Sequence, residues 1–137
     1  MRALPSGGGP APVCAQWRVL LVEDDDDLRE ITAECLALEG FLVDAACDGV
    51  AALEQLERDP LPDVLILDLV MPRMGGLELM ERLLASPRLA PLPVVVVTGT
   101  PPSARPRVEA MLQKPVDFGQ LCRVLLRVLE RPPGAID

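Results

Sequence analysis

The feature that most restricts this chain is an alternation. Short, continuous apolar runs of strand length recur between segments whose apolar residues follow helical spacing. The runs are RVLLV (18–22), FLVDAA (41–46), DVLILDL (63–69), PVVVVTG (93–99) and VEAMLQ (108–113). Between the first two, Leu28, Ile31, Cys35 and Leu38 predict a helix over 26–38, ended by Gly40. Val50, Leu53 and Leu56 predict a second helix, stopped near Pro60. Leu77, Met80, Leu83 and Leu84 predict a third, beginning after Gly75 and Gly76. Phe118, Leu121, Leu125 and Val128 predict a last one, ended by Pro132, Pro133 and Gly134. Apolar strands alternating with helices imply an α/β fold, a doubly wound parallel sheet of five strands covered on both faces. Only three residues are aromatic (Trp17, Phe41 and Phe118), so the core has to be built from aliphatic side chains.

The 137 residues fit one domain. Residues 1–16 are rich in Pro, Gly and Ala without periodicity and are expected to be a flexible tail. The domain then spans 17–131, and 132–137 reads as a C-terminal tail or a truncated linker. A net charge of −8 argues against a nucleic-acid binder, whose footprint would be a basic patch. No apolar run approaches the ~18 residues of a membrane span, and the N-terminal one is too short for a signal peptide. Cys14, Cys35, Cys47 and Cys122 have no metal-type spacing and read as reduced thiols of a cytoplasmic protein. The absence of histidine excludes a Ser-His-Asp triad, a His metal site and a phosphohistidine carrier. Of 13 basic residues only Lys114 is a lysine.

In such sheets ligands bind beyond the carboxyl ends of the strands. The first strand ends in Glu23 and Asp24, the third in Asp68, the fourth in Thr98 and the fifth in Lys114-Pro115. One sheet edge thus collects three carboxylates, a hydroxyl and an ammonium. Like charges ~4 Å apart cost roughly 1 kcal/mol per pair in water and about 4 at an effective dielectric of 20. A hard divalent cation such as Mg²⁺, which takes oxygen ligands, relieves that repulsion. In the acidic run that follows, Asp25 or Asp26 suits a helix cap and Asp27 suits the positive helix end.

Four motifs in this order, VLLVEDD (19–25), LILDLVMPRMGG (65–76), VVVVTG (94–99) and LQKPVD (112–117), resemble the receiver domain of two-component response regulators, the CheY-like family. The likeness runs over residues 18–131. It implies a flavodoxin-like strand order of 2-1-3-4-5 and Asp68 as phosphoacceptor. It also implies Mg²⁺ bound directly by Asp24 and Asp68, through water by Glu23, and by the backbone carbonyl of Val70. Thr98 would bond a phosphoryl oxygen, Lys114 would pair with it, and Thr98 and Met111 would hold the switch positions. The Lys114-Pro115 bond is expected to be cis. The implied partners are a sensor histidine kinase or a histidine phosphotransfer protein, and a downstream protein target. Direct contact with nucleic acid or membrane is not expected, and the chain would be a monomer or weak dimer. Such a domain is a signalling phosphoacceptor that promotes only its own phosphoryl transfer and dephosphorylation, not an enzyme.

The chain departs from that pattern in three places. Val70 has no polar group to orient an attacking water, so slow self-dephosphorylation is expected. Met111 stands where an aromatic is usual. The stretch TPPSARPRVE (100–109) holds Pro101, Pro102 and Pro106, so the helix between the fourth and fifth strands is expected to be short or absent. The sheet there would be partly uncovered and open to an interaction partner. Two rival readings follow. A pseudo-receiver would share the fold and act without phosphate. A haloacid-dehalogenase-type phosphatase would need a second Asp where Val70 stands.

Overall fold

The computed structural model describes residues 17–71, 73–99 and 108–130. Its elements in chain order are β1 (Arg18–Val22), α1 (Asp26–Leu38), β2 (Leu42–Ala46), α2 (Gly49–Leu56), β3 (Val64–Leu67), α3 (Gly76–Leu84), β4 (Val94–Thr98), β5 (Ala110–Gln113) and α4 (Phe118–Leu129). All strand pairs are parallel and the order is β2-β1-β3-β4-β5, the flavodoxin-like arrangement. The helix expected to be short or absent falls largely on 100–107, which lie outside the described residues, as do both expected tails.

The central strands β1, β3 and β4 are almost wholly apolar because each feeds two cores. Successive side chains point to opposite faces. Leu20 and Val22 of β1, Leu65 and Leu67 of β3, and Val94 and Val96 of β4 pack on α2 and α3 through Ala52, Leu56, Leu79, Met80 and Leu83. Their neighbours Val19, Leu21, Val64, Ile66, Val95 and Val97 pack on α1 and α4 through Leu36, Leu121, Val124 and Leu125. β2 departs from the expectation of strands covered on both faces. It is an edge strand, and Leu42, Asp44 and Ala45 are exposed.

Three helices start at an aspartate whose carboxylate accepts a backbone N–H. Asp25 accepts from Leu28 at 2.9 Å, Asp48 from Ala51 at 2.9 Å and Asp117 from Gln120 at 3.1 Å. Gly40, at a φ of 102°, ends α1 in the left-handed conformation that glycine adopts freely. Within α1 the buried positions are Thr32 and Leu36, whereas Ile31 and Leu38, which mark the helical period in the sequence, are exposed. The period holds, but its phase is off by about one residue, because the polar Thr32 faces inward. Between α3 and the β4–β5 side of the sheet lies a groove of about 460 Å³, lined by Met80, Leu83, Leu89, Leu92, Val94 and Val108. Among the described residues no helix is long and apolar enough to cross a membrane.

Candidate functional site

Parallel pairing brings four strand ends to one edge. The Asp68 N–H donates to the Val22 carbonyl at 3.1 Å, which sets Asp68 beside the end of β1. The Glu23 N–H continues the ladder to the Ala46 carbonyl at 3.0 Å, and the Lys114 N–H donates to the Thr98 carbonyl at 2.9 Å. Glu23, Asp68, Thr98 and Lys114 are therefore placed by main-chain bonds before any side chain acts.

The loop after β3 turns back sharply over the edge. The Gly76 N–H donates to the Leu69 carbonyl at 2.9 Å. A β carbon on Gly76 would lie 2.6 Å from the Asp68 carbonyl oxygen and from Leu69 Cα, so only glycine permits this approach. The Val70 N–H then donates to Asp68 Oδ1 at 3.0 Å, while the Val70 side chain is exposed. On the β1–α1 side, Arg29 donates to the Glu23 carbonyl at 2.9 Å and pairs with Asp26 at 2.6 Å.

The Lys114 ammonium sits between two carboxylates, 2.8 Å from Glu23 Oε1 and 2.9 Å from Asp68 Oδ2. The other Glu23 oxygen, Oε2, accepts the Asp25 N–H at 3.1 Å. Glu23 and Asp68 are buried; Asp24 is exposed. Burial pushes the Glu23 carboxyl above its ordinary value, aided by the Asp68 charge, and the Lys114 and Asp25 hydrogen bonds offset this only in part. For Lys114 burial acts downward, but the bonds to Glu23 and Asp68 outweigh it and hold the ammonium above its ordinary value. Ligand oxygens of Glu23, Asp24 and Asp68 all lie within 4.8 Å of one another. Three hard oxygen donors, two buried and one open to solvent, fit a hard divalent cation.

Every expected site residue is at this edge or on a strand leading to it. Thr98 is buried at the end of β4. Met111 pairs with Val96 and Gln113 with Thr98, so Thr98 and Met111 lie on the same sheet face on adjacent strands. The Lys114-Pro115 bond is cis, as expected, and so is Asp59-Pro60, which the sequence had not signalled.

One constellation escaped the sequence reading. Asp48, at the end of β2, is buried and pairs with Arg73 in the β3–α3 loop at 2.5 Å. The end of the second strand, CDG (47–49), carried the signal, because it shares the edge with the other four strand ends.

The family model described as the response regulator receiver domain matches residues 19–126. The curated response regulator MprA of Mycobacterium leprae is 43% identical over 81 residues, which cover 59% of this chain and 34% of that protein. The chain thus spans about a third of that relative's length. Among solved structures, a sensor protein from Polaromonas sp. JS666 superposes with a TM-score of 0.77 at 30% identity, covering 84% of this chain and 97% of the other. The chemotaxis protein CheY4 of Vibrio cholerae superposes with a TM-score of 0.74 at 27% identity, covering 82% and 98%.

Proposed function

This chain belongs to the response regulator receiver domains, and from that premise we propose that it accepts a phosphoryl group on Asp68 from a phosphohistidine protein and signals by a change of conformation. The observation that carries the reading is the placement of Lys114, within 3 Å of both Asp68 and Glu23 in a cluster of three carboxylates.

In the proposed reaction an Asp68 carboxylate oxygen attacks phosphorus. The phosphorus–nitrogen bond of the donor breaks, its electron pair leaves with the imidazole, and an acyl phosphate forms. Val70 N–H holds Oδ1 and so fixes the plane of the carboxylate. The Lys114 ammonium, a compact point charge on a long stem, moves onto a phosphoryl oxygen as negative charge arrives. Asp24, Asp68, Glu23 and the Val70 carbonyl would hold Mg²⁺, which when bound neutralises phosphoryl oxygens. Thr98, buried at the end of β4, would bond another phosphoryl oxygen. Because the chain has no histidine, the donor is a sensor histidine kinase, a phosphotransfer protein or a small acyl phosphate. The chain acts as a phosphoacceptor and does not turn over a separate substrate. Incubation with Mg²⁺ and a small acyl phosphate, followed by intact mass, tests this. One phosphoryl group should be added, acid-labile and Mg²⁺-dependent, and Asp68→Asn should abolish it. A wild type that never labels, or a variant that labels fully, would falsify the reading.

A further inference from the structure

Arg73 has a φ of 62°, the only positive φ of a non-glycine residue among those described. A β carbon in this region crowds the following carbonyl, and arginine lacks the short polar side chain that lets Asn or Asp settle there. Strain of this kind persists only where the surroundings impose it, and it clusters at functional sites. Arg73 stands in the loop whose start holds Asp68 and Val70.

What imposes it is a dock between that loop and the start of α2. Both Nε and Nη2 of Arg73 lie 2.5 Å from Asp48 Oδ2. Asp48 is only 3% exposed, and its other oxygen caps α2 through the Ala51 N–H at 2.9 Å. The Ala51 bond, and then the Arg73 contacts, hold the Asp48 carboxyl below its ordinary value against the opposing effect of burial. One residue further along each segment, the Gly49 N–H donates to the Met74 carbonyl at 3.3 Å. A β carbon on Gly49 would lie 2.8 Å from Met74 Cγ and 2.9 Å from its carbonyl oxygen. The loop is therefore anchored twice: at its root by Gly76 on Leu69, and at its far side by Arg73 and Met74 on α2. The stretch carrying Val70 runs between these anchors.

We propose that Arg73 is a positioning residue for the phosphoacceptor loop: its ion pair with Asp48 compensates the left-handed backbone at 73 and thereby sets the Val70 main chain over the acidic cluster. This rests on the phosphoacceptor reading above and extends it to a pair some distance from the reacting atoms. The pair acts on the site only through the loop. Among the described residues, its side-chain hydrogen bonds run to Ala51, to Cys47 and between Asp48 and Arg73 themselves, and none joins it to Glu23, Asp24, Asp68 or Lys114.

Three variants separate positioning from simple stabilisation. Asp48→Asn keeps the oxygen that caps α2 but removes the charge. Arg73→Ala keeps the strained β carbon and removes the clamp. Arg73→Gly removes both clamp and strain. Each is titrated with Mg²⁺ by calorimetry and labelled with a small acyl phosphate well below its melting temperature. Asp48→Asn and Arg73→Ala should weaken Mg²⁺ binding by about fivefold or more, the low end of what a left-handed side chain costs when expressed as a ratio. Both should also label more slowly at sub-saturating Mg²⁺. Arg73→Gly should return to within about twofold of wild type, because glycine adopts the loop conformation unaided. Variants that melt earlier but match wild type in Mg²⁺ affinity and labelling overturn the inference alone. So does Arg73→Gly remaining as impaired as Arg73→Ala. A wild type that neither binds Mg²⁺ nor labels overturns the phosphoacceptor reading and this inference with it.

Discussion

Replacing Lys114 with methionine removes the cation that lies 2.8 and 2.9 Å from two buried carboxylates. Left facing one another within 4.8 Å, Glu23 and Asp68 would repel by about 3.5 kcal/mol at an effective dielectric of 20. A proton offers a cheaper escape. Glu23 is the group that takes it, since burial already raises its pKa. Protonating a carboxyl of ordinary value 4.5 at pH 7 costs at most about 3.4 kcal/mol, and at pH 5 about 0.7. Lys114 is partly exposed and solvent screens it, so the expected loss is about 2–3 kcal/mol at pH 7, or about 10 °C in Tm. Without the ammonium the folded-state pKa of Glu23 rises further above its unfolded value. The variant therefore recovers relative to wild type as pH falls toward 4.5 and shows its full deficit well above the folded value. Urea unfolding of both proteins at pH 7 and pH 5, without divalent ions, measures this. The same variant should bind Mg²⁺ more tightly, because the ammonium and the metal neutralise the same oxygens. A deficit below about 1 kcal/mol at pH 7, or one equal at both pH values, would refute the reasoning.

Mg²⁺ at ten times its Kd should stabilise wild type by about 1.4 kcal/mol, and Asp24→Asn should shrink that increment; a melting curve indifferent to millimolar Mg²⁺ counts against the site. Gly76→Ala forces a β carbon to 2.6 Å from backbone atoms of Asp68 and Leu69 and should cost about 3 kcal/mol or prevent folding. Gly99→Ala, whose β carbon would meet nothing within 4 Å among the described residues, should stay within about 0.5 kcal/mol of wild type; denaturant melts of the two compare them directly. Val70→Asn supplies a polar group that could orient water, and should shorten the acyl phosphate lifetime severalfold in a decay experiment followed by intact mass.

The strands were legible because burial on both faces leaves continuous apolar runs, and β1, β3 and β4 are paired on both sides. β2 was legible as a strand from its own residues, and as an edge only through the family likeness, whose strand order of 2-1-3-4-5 places it outermost. Its exposed Leu42 and Ala45 read as core in the sequence, and only the pairing order shows that one side is open. Of the five buried polar residues among those described, Glu23, Asp68 and Thr98 were found because they follow apolar runs directly. Thr32 and Asp48 were not. Thr32 lies inside a helix, where a polar residue conventionally marks the outer face. Asp48 follows a weakly apolar strand and reads as an ordinary cap, which it also is. Its second role depends on Arg73, 25 positions away, and on a left-handed backbone that no residue type announces. The ion pair between Lys114 and Glu23 was also missed. The family likeness directs attention to the phosphoryl group that the lysine is meant to meet, and not to the carboxylates it holds beforehand.

On the proposed reading, that prior engagement says which part moves first. Both oxygens of Asp68 are occupied, Oδ1 by the Val70 N–H and Oδ2 by the Lys114 ammonium. The first contact belongs to main chain in a loop anchored at Gly76 and at Arg73. The second belongs to the tip of a flexible stem. An arriving phosphoryl group therefore displaces the ammonium more readily than the loop, and the ammonium follows the new negative charge. Glu23 then loses the attraction that offset its burial, and a metal ion or a proton has to replace it. The backbone of Lys114 is bonded to Thr98, and Met111 lies three residues before it on β5, so the displacement is felt first on the last two strands of the sheet. A methionine there has more rotamers to settle among than an aromatic ring does, so the signal leaving this face is carried by where β5 and its flanking segments go more than by the flip of one side chain.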